Sequence, residues 1–275
     1  MSSFFDGNYF PGNNFRYDII SLVIEMFTDT HCHIYQEYYE DIDEIVKKIK
    51  DANISRVINN GCDDKSNKEV LSLIKIYPKF MYGALGVHPE SVDTYTEEDI
   101  KFIEDHINDE GIVAIGEIGL DYHYTKENRD KQIELFERQL CMAEKNNKPV
   151  IIHSRDATLD TIEVLKRHHV RGVMHAFNGS YETAMIYIKM GLLLGVGGVI
   201  TFKNCNLKDV IAKIDLSNIV FETDSPYLTP VPYRGERNDS SHIIDIAKYV
   251  AELKGISLEE LSMEVNGNVQ RCFDI

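Results

Sequence analysis

The feature that most constrains the fold is a regular alternation of short apolar runs with longer polar segments of helical period. The apolar runs predicted as strands are Phe27–Thr30, Arg56–Asn60, Met81–Val87, Ile112–Ile118, Pro149–His153, Gly172–His175, Leu192–Gly197 and Ile219–Glu222. The predicted helices between them include Asp41–Ala52, Ser66–Tyr77, Glu97–Ile107, Arg129–Asn146, Ala157–His168 and Tyr181–Met190. Strands that are apolar throughout are typical of parallel sheets covered on both faces.

About eight β/α units in about 250 residues match the size of a closed (β/α)8 TIM barrel. The alternative, a doubly wound open sheet, requires a glycine-rich phosphate loop after the first strand. The chain has Asp-Thr-His-Cys-His there, at residues 29–33, so we predict the barrel. We expect one TIM-barrel domain over residues 26–275. Residues 1–25 form an N-terminal extension, for which one hypothesis is that translation starts at Met26; the alternative is an arm packed on the surface.

Charge and cysteine content exclude several classes of protein. The 29 Lys and Arg against 45 Asp and Glu give a net charge of −16, which argues against coating a nucleic-acid duplex through a broad basic surface. No stretch reaches the roughly 18 uncharged apolar residues that span a bilayer. The five cysteines are scattered without a Cys-x-x-Cys pair, which predicts reduced thiols in a cytoplasmic protein. We assign no chemistry to Cys32, which alternates away from its flanking histidines, or to Cys62.

Ionisable side chains follow the predicted strands at one end. His31 and His33 lie on one side of the first strand because strand side chains alternate. Further histidines and carboxylates end later strands, namely His88, Glu117, His153, His175 and Asp224. The carboxyl ends of barrel strands form the active-site face, and unpartnered buried charges are costly. A mixed imidazole and carboxylate set with a carboxylate able to bridge indicates two divalent cations, among Mg²⁺, Mn²⁺ and Zn²⁺.

Several segments resemble the TatD family of metal-dependent deoxyribonucleases, within the amidohydrolase-like barrels. The segments are T-D-T-H-C-H at residues 28–33, G-V-H-P at 86–89, G-E-I-G-L-D-Y at 116–122, V-I-I-H-S-R at 150–155, G-V-I-T-F-K at 198–203 and E-T-D-S-P-Y-L-T-P at 222–230. The resemblance covers the chain from about Met26 to its end. The sequence departs from the family pattern at Ala176 and at Ile34-Tyr35. It also departs at Glu236, where the family usually has a basic residue.

The resemblance implies a ligand set and roles for individual residues. His31, His33 and Asp224 would hold the first metal, Glu117 would bridge, and His153 and His175 would complete the second. Among the catalytic residues Asp224, Glu117 and His88, Asp224 would accept the proton of the attacking water and His88 would contact a phosphate or the leaving group. Arg155, Arg234 and Lys203 are the predicted substrate-binding cations.

The predicted reaction is metal-dependent phosphodiester hydrolysis of DNA from an end, in the manner of a 3′–5′ exonuclease. The substrate would be single-stranded or frayed, and neither a membrane nor an obligate protein partner is expected. One alternative keeps the two metals but hydrolyses a small ester, amide or lactone, since fold does not settle substrate. Another is a barrel that has lost catalysis and serves as a binding protein; retention of all six ligand positions argues against it. His168 and His169 are interpreted as a helix end.

Overall fold

Eight parallel strands form one sheet in sequence order across residues 26–275, the part of the chain that the computed structural model describes. The strands are β1 (Phe27–Cys32), β2 (Ile54–Asn60), β3 (Met81–Leu85), β4 (Ile112–Asp121), β5 (Val150–Arg155), β6 (Gly172–Met174), β7 (Leu192–Val196) and β8 (Ile219–Phe221). β8 returns to β1 through the hydrogen bonds Asp224 N–H to His31 O and His33 N–H to Ser225 O, at 2.9 and 2.8 Å. The sheet therefore curls into a barrel, and the TIM-barrel prediction is confirmed. The hypothesis about residues 1–25 concerns residues outside the described part.

Helices connect successive strands and cover the outside of the sheet. Those in the described residues are α1 (Ile42–Asp51), α2 (Asp64–Ile76), α3 (Glu97–His106), α4 (Arg129–Asn146), α5 (Thr158–Leu165), α6 (Tyr181–Lys189), α7 (Leu207–Ile211), α8 (Ile243–Lys254) and α9 (Leu258–Phe273). Local sequence sets their ends: the Asp41 carboxylate accepts the Glu44 N–H at the start of α1, and Asp63 and Ser66 form a capping box on α2. Asn147 and Gly255 end α4 and α8 in left-handed conformations.

One predicted helix is shorter than expected. The helix predicted over Ala157–His168 ends at Leu165. Beyond that point the Arg167 and His168 N–H groups bond to carbonyls three residues back rather than four, at Val164 and Leu165. Because a tightened final turn does not continue as an α-helix, His168 and His169 lie in the connection to β6 and not in the helix.

The apolar core has two parts. The larger lies between the strands and the helices and includes Phe27, Phe136 and Phe221. The smaller part consists of side chains from strands β2 to β6 and β8, among them Ile151 and Val173, packed against side chains from the last turns of α9. Ile151 and Val173 precede His153 and His175 by two residues, so they share a face with those histidines. An apolar layer inside the barrel thus lies beneath the strand-end histidines.

Candidate metal centre

The ends of five strands bring histidines and carboxylates together at one mouth of the barrel. β1 leads into His31 and His33, β4 carries Glu117, and β5 carries His153. β6 and β8 are followed by His175 and Asp224. The pairing register shifts between Asp29 and Cys32 in β1 and between Ile115 and Ile118 in β4. Such irregularities re-aim side chains near strand ends, and here they flank His31 and Glu117.

Glu117 occupies the middle of this cluster and presents one oxygen to each half. Its Oε2 lies 3.3 Å from His31 Nε2 and 3.6 Å from His33 Nε2. Its Oε1 lies 2.7 Å from His153 Nδ1 and 3.5 Å from His175 Nε2. A carboxylate whose two oxygens face two separate sets of imidazoles has the geometry of a bridging ligand.

Asp224 lies on the same side of the cluster as the first two histidines. Its Oδ1 is 3.6 Å from Nε2 of both His31 and His33, and 3.8 Å from His175 Nε2. The backbone of Asp224 is left-handed, with φ of 56°. A non-glycine residue in that conformation is uncommon, and such backbones occur where function needs a particular side-chain direction. The hydrogen bond from Asp224 N–H to His31 O holds it there.

Outer contacts determine which nitrogen of three histidines faces the cluster. His33 Nδ1 lies 3.0 Å from the Asn60 carbonyl, which only accepts hydrogen bonds, so the neutral ring carries its proton on Nδ1 and its lone pair on Nε2. By the same reasoning, carboxylates fix the proton on Nε2 of His153 and on Nδ1 of His175. His153 Nε2 lies 3.0 Å from Asp121 Oδ2, leaving Nδ1 toward Glu117. His175 Nδ1 lies 3.0 Å from Glu222 Oε1, leaving Nε2 toward the cluster.

Asp121 and Glu222 thus belong to the candidate site, although the sequence analysis did not assign them. Both stand in the strand-end segments that carry the ligand candidates, which was the available signal. Their carboxylates are almost completely buried. Carboxylates that orient a metal-binding imidazole from behind are a recurring feature of metal sites and increase the basicity of the ligand.

The electrostatics of the cluster favour a bound cation. Burial opposes ionisation of Glu117, but His175 and His31 hold its pKa well below the ordinary value. Burial likewise opposes charging of the histidines, yet Asp121 and Glu117 raise the pKa of His153 to about 9, and Glu222 and Glu117 raise that of His175 to about 10. The buried carboxylates are therefore stabilised by nearby positive charge. Protons on the histidines supply that charge here, and a bound metal ion would displace those protons and take over their role.

His88 contacts the cluster through its Nε2 atom. The Glu90 N–H donates to His88 Nδ1 at 3.2 Å, so the neutral ring carries its proton on Nε2. That Nε2 lies 3.6 Å from Glu117 Oε1. His88 is accordingly placed as a hydrogen-bond donor at the edge of the site.

Cys62, to which the sequence analysis assigned no chemistry, lies at the site. Its Sγ is 3.9 Å from His33 Nδ1 and 3.8 Å from Glu117 Oε2. The position follows from β2, which ends two residues earlier beside β1. Burial raises the pKa of the thiol to about 11, so it is protonated at neutral pH. Cys32 does face away, and its Sγ donates to the Ile58 carbonyl.

The three predicted substrate-binding cations are exposed. The guanidinium of Arg234 stacks on the Phe202 ring at 3.8 Å, and that of Arg155 lies 5.4 Å from the Tyr124 ring. Lys203 is exposed just after the turn at Gly198–Thr201. Within residues 26–275 none of the three forms an ion pair. They are available to an anionic ligand.

The donor set fits divalent metal ions. Four groups of side chains around Glu117 and Asp224 have ligand atoms within 4.8 Å of one another. They are His31 with His33 and Asp224, His31 with Glu117 and His175, His33 with Cys62 and Glu117, and His88 with Glu117 and His153. Nε2 atoms of His31 and His33 face each other at 3.1 Å. Imidazole and carboxylate donors that converge in this way suit Zn²⁺, Mn²⁺ and related ions.

The chain is similar to known metal-dependent hydrolases. Residues 28–274 match the family described as TatD related DNase. The uncharacterized metal-dependent hydrolase YabD of Bacillus subtilis is 40% identical over 255 residues, covering 91% of this chain and all of that protein. The uncharacterized metal-dependent hydrolase YcfH of Escherichia coli K12 is 34% identical over 256 residues, covering 90% of this chain and 95% of YcfH.

The structural comparison is equally extensive. The crystal structure of YjjV, a TatD homologue from Escherichia coli K12, superimposes with a TM-score of 0.87 at 28% identity, covering 92% of this chain and 99% of that chain. No helix in residues 26–275 has the length and apolar character needed to cross a membrane. With the family match spanning nearly all of the described barrel, the chain belongs to the TatD family and is a metal-dependent hydrolase.

Proposed function

We propose that this hydrolase is a deoxyribonuclease that removes nucleotides from a single-stranded or frayed DNA end, with 3′–5′ polarity, using two divalent cations. The observation that carries the dinuclear site is Glu117, whose two oxygens face separate sets of histidines. His31, His33 and Asp224 would hold one ion and His153 and His175 the other. When bound, two such ions activate a water and offset the charge of a phosphodiester.

Residues of the chain perform the remaining steps. Asp224 accepts the proton of the attacking water. Its side chain is 17% exposed, and His175 and His33 lower its pKa although burial opposes its ionisation. His88 presents Nε2–H to the leaving oxygen or to a phosphate oxygen. Asp121 and Glu222 keep His153 and His175 in the required orientation.

The rim of the barrel mouth supports a nucleic-acid substrate. Tyr38 and Tyr227 form an edge-to-face pair whose hydroxyl groups are 3.0 Å apart, and Tyr227 is 51% exposed. Tyr124 is 75% exposed beside Arg155. Exposed aromatic rings and unpaired cations are the two elements with which proteins bind single strands. The net charge of −16 disfavours wrapping along a duplex, so the proposal is limited to an end.

The test is hydrolysis of oligodeoxynucleotides labelled at either the 3′ or the 5′ end, with Mg²⁺ or Mn²⁺ and in parallel with EDTA. We expect a metal-dependent ladder that shortens from the 3′ end. His153→Ala should abolish it, whereas His106→Ala, which changes a histidine at the distant end of α3, should not. Absence of cleavage with metals bound contradicts the proposal, and a panel of small esters, amides and lactones would then be tested.

Location in the cytoplasm is part of the same proposal. All five cysteines lie in the described residues and are unpaired. Cys32 and Cys272 are buried in the core, where burial raises the pKa of both thiols. Free thiols of this kind are typical of proteins that work in a reducing compartment.

A further inference from the structure

A second cluster of metal-binding side chains lies at the other end of the barrel. Cys141 and Glu144 stand three residues apart on α4, and His168 lies in the connection from α5 to β6. The ligand atoms of these three side chains lie within 4.8 Å of one another. The end of α4 and the connection to β6 lead into the amino ends of strands, so this cluster is on the face opposite the catalytic mouth.

The imidazole and the carboxylate of this cluster are already held in position. His168 Nδ1 lies 3.2 Å from Glu144 Oε2, and the His168 side chain is only 9% exposed. Glu144 Oε1 accepts the backbone N–H of His169 at 2.5 Å. That hydrogen bond lowers the pKa of Glu144, so the carboxylate is ionised at neutral pH. Little further ordering is needed to bind a ligand there.

The thiol distinguishes this cluster from an ordinary ion pair between a helix and a loop. Cys141 is exposed and has no hydrogen-bond partner within residues 26–275. Sulfur, imidazole nitrogen and one carboxylate oxygen together favour Zn²⁺ and similar thiophilic ions, whereas Mg²⁺ and Ca²⁺ favour oxygen ligands alone.

We propose that Cys141, Glu144 and His168 form a surface metal site that binds one thiophilic divalent cation of the zinc type, with water as the fourth ligand. On binding, the Cys141 thiol releases its proton to solvent and its sulfur bonds to the metal, without any redox change. The site is separate from the proposed catalytic ions and does not depend on the nuclease activity. The bound ion joins the last turns of α4 to the segment before β6.

The test uses the full-length, metal-free protein titrated with Co²⁺ or Cd²⁺, monitored by the thiolate-to-metal charge-transfer absorbance in the ultraviolet. Because Cys62 lies at the catalytic cluster, it is the competing source of such a band. We expect the band in Cys62→Ser and its loss in the double variant Cys62→Ser/Cys141→Ser. Absence of the band from Cys62→Ser, or its survival in the double variant, overturns the proposal.

A second measurement tests the other two ligands. His168→Gln and Glu144→Gln should each weaken the binding that produces the band by about tenfold or more. Glu163→Gln, which removes an exposed carboxylate from the neighbouring α5, should leave it unchanged. Parental affinity in His168→Gln would show that the thiol binds metal without this cluster.

Thermal unfolding separates folding defects from loss of the site. Without metal, Cys141→Ser should melt at the parental temperature because the thiol is exposed. Zn²⁺ should raise the melting temperature of the parent more than that of Cys141→Ser, because an ion that binds only the native state stabilises it. Equal zinc-induced shifts in the two proteins would contradict the proposal.

Discussion

Gly195→Ala is expected to weaken metal binding although residue 195 is not a ligand. A Cβ atom at Gly195 would lie 2.1 Å from Glu222 Oε2 and 2.7 Å from its carboxyl carbon, far inside contact distance. Glu222 has no space to retreat because it is fully buried, and its Oε1 accepts the Ala176 N–H at 2.6 Å. The added methyl group must therefore displace the carboxylate that holds His175.

The size of the effect follows from these contacts. Loss of a carboxylate behind a metal-binding imidazole costs about 10- to 100-fold in metal affinity, equivalent to about 1.4–2.8 kcal/mol. Overpacking the buried site should also lower the free energy of unfolding by about 1–3 kcal/mol. Both effects arise from one displaced side chain, so they should appear together.

Gly197→Ala is the matched control. Its Cβ would lie 3.6 Å from the Glu222 carbonyl oxygen, an ordinary contact, at the end of the same strand. Metal affinity is measured by competition with a chromophoric chelator, and stability by urea unfolding of the metal-free proteins. If Gly195→Ala binds metal as tightly as Gly197→Ala, the claim that Glu222 is confined against residue 195 is wrong.

A double variant tests the mechanism itself. Glu222→Asp shortens the side chain by one methylene group and withdraws the carboxylate from residue 195. Gly195→Ala/Glu222→Asp should therefore regain stability relative to Gly195→Ala, with a coupling energy of about 0.5–3 kcal/mol. Metal affinity should stay low because the shorter side chain no longer supports His175. Additive effects on stability would show that the two residues do not clash.

Three further changes have defined outcomes. Asp224→Asn should reduce turnover far more than oligonucleotide binding, because the amide cannot accept the proton of water; unchanged kcat would contradict its role. Asp239 forms an ion pair with Lys48 at 2.6 Å. Burial opposes ionisation of Asp239, but the ion pair lowers its pKa. Asp239→Asn should therefore destabilise the protein at pH 7 by about 1–3 kcal/mol. A carboxylate whose pKa is lower in the folded state stabilises that state above the unfolded pKa of about 3.9, and this stabilisation is lost as the pH falls through the folded pKa. In urea unfolding, the difference in unfolding free energy between the parent and Asp239→Asn should therefore shrink below about pH 4. A difference that stays constant with pH would contradict this. Phe221→Ala, in the core against Phe27, should cost about 3–5 kcal/mol in the same assay, whereas Tyr124→Ala on the exposed rim should cost little.

Local sequence was sufficient for the architecture. Apolar runs such as Ile112–Ile118 and Leu192–Gly197 can be buried on both faces only in a parallel sheet, and their number and spacing leave a closed barrel as the simplest solution. Strand alternation placed His31 and His33 together and Cys32 apart from them, as the structure has them. These features depend on neighbouring residues, so they can be predicted without long-range information.

Contacts between distant segments depended on tertiary structure alone. Cys62 meets Glu117 because β2 lies near β4 at the mouth, and Cys141 meets His168 because α4 ends beside the connection to β6. The nitrogen of His153 that faces the cluster is Nδ1 and that of His175 is Nε2, because the carboxylate behind each ring occupies the other nitrogen. The sequence determined which chemical groups reach the end of each strand, whereas strand register and packing decided which atoms of those groups face each other, since these depend on distances of a few ångströms between residues far apart in the chain.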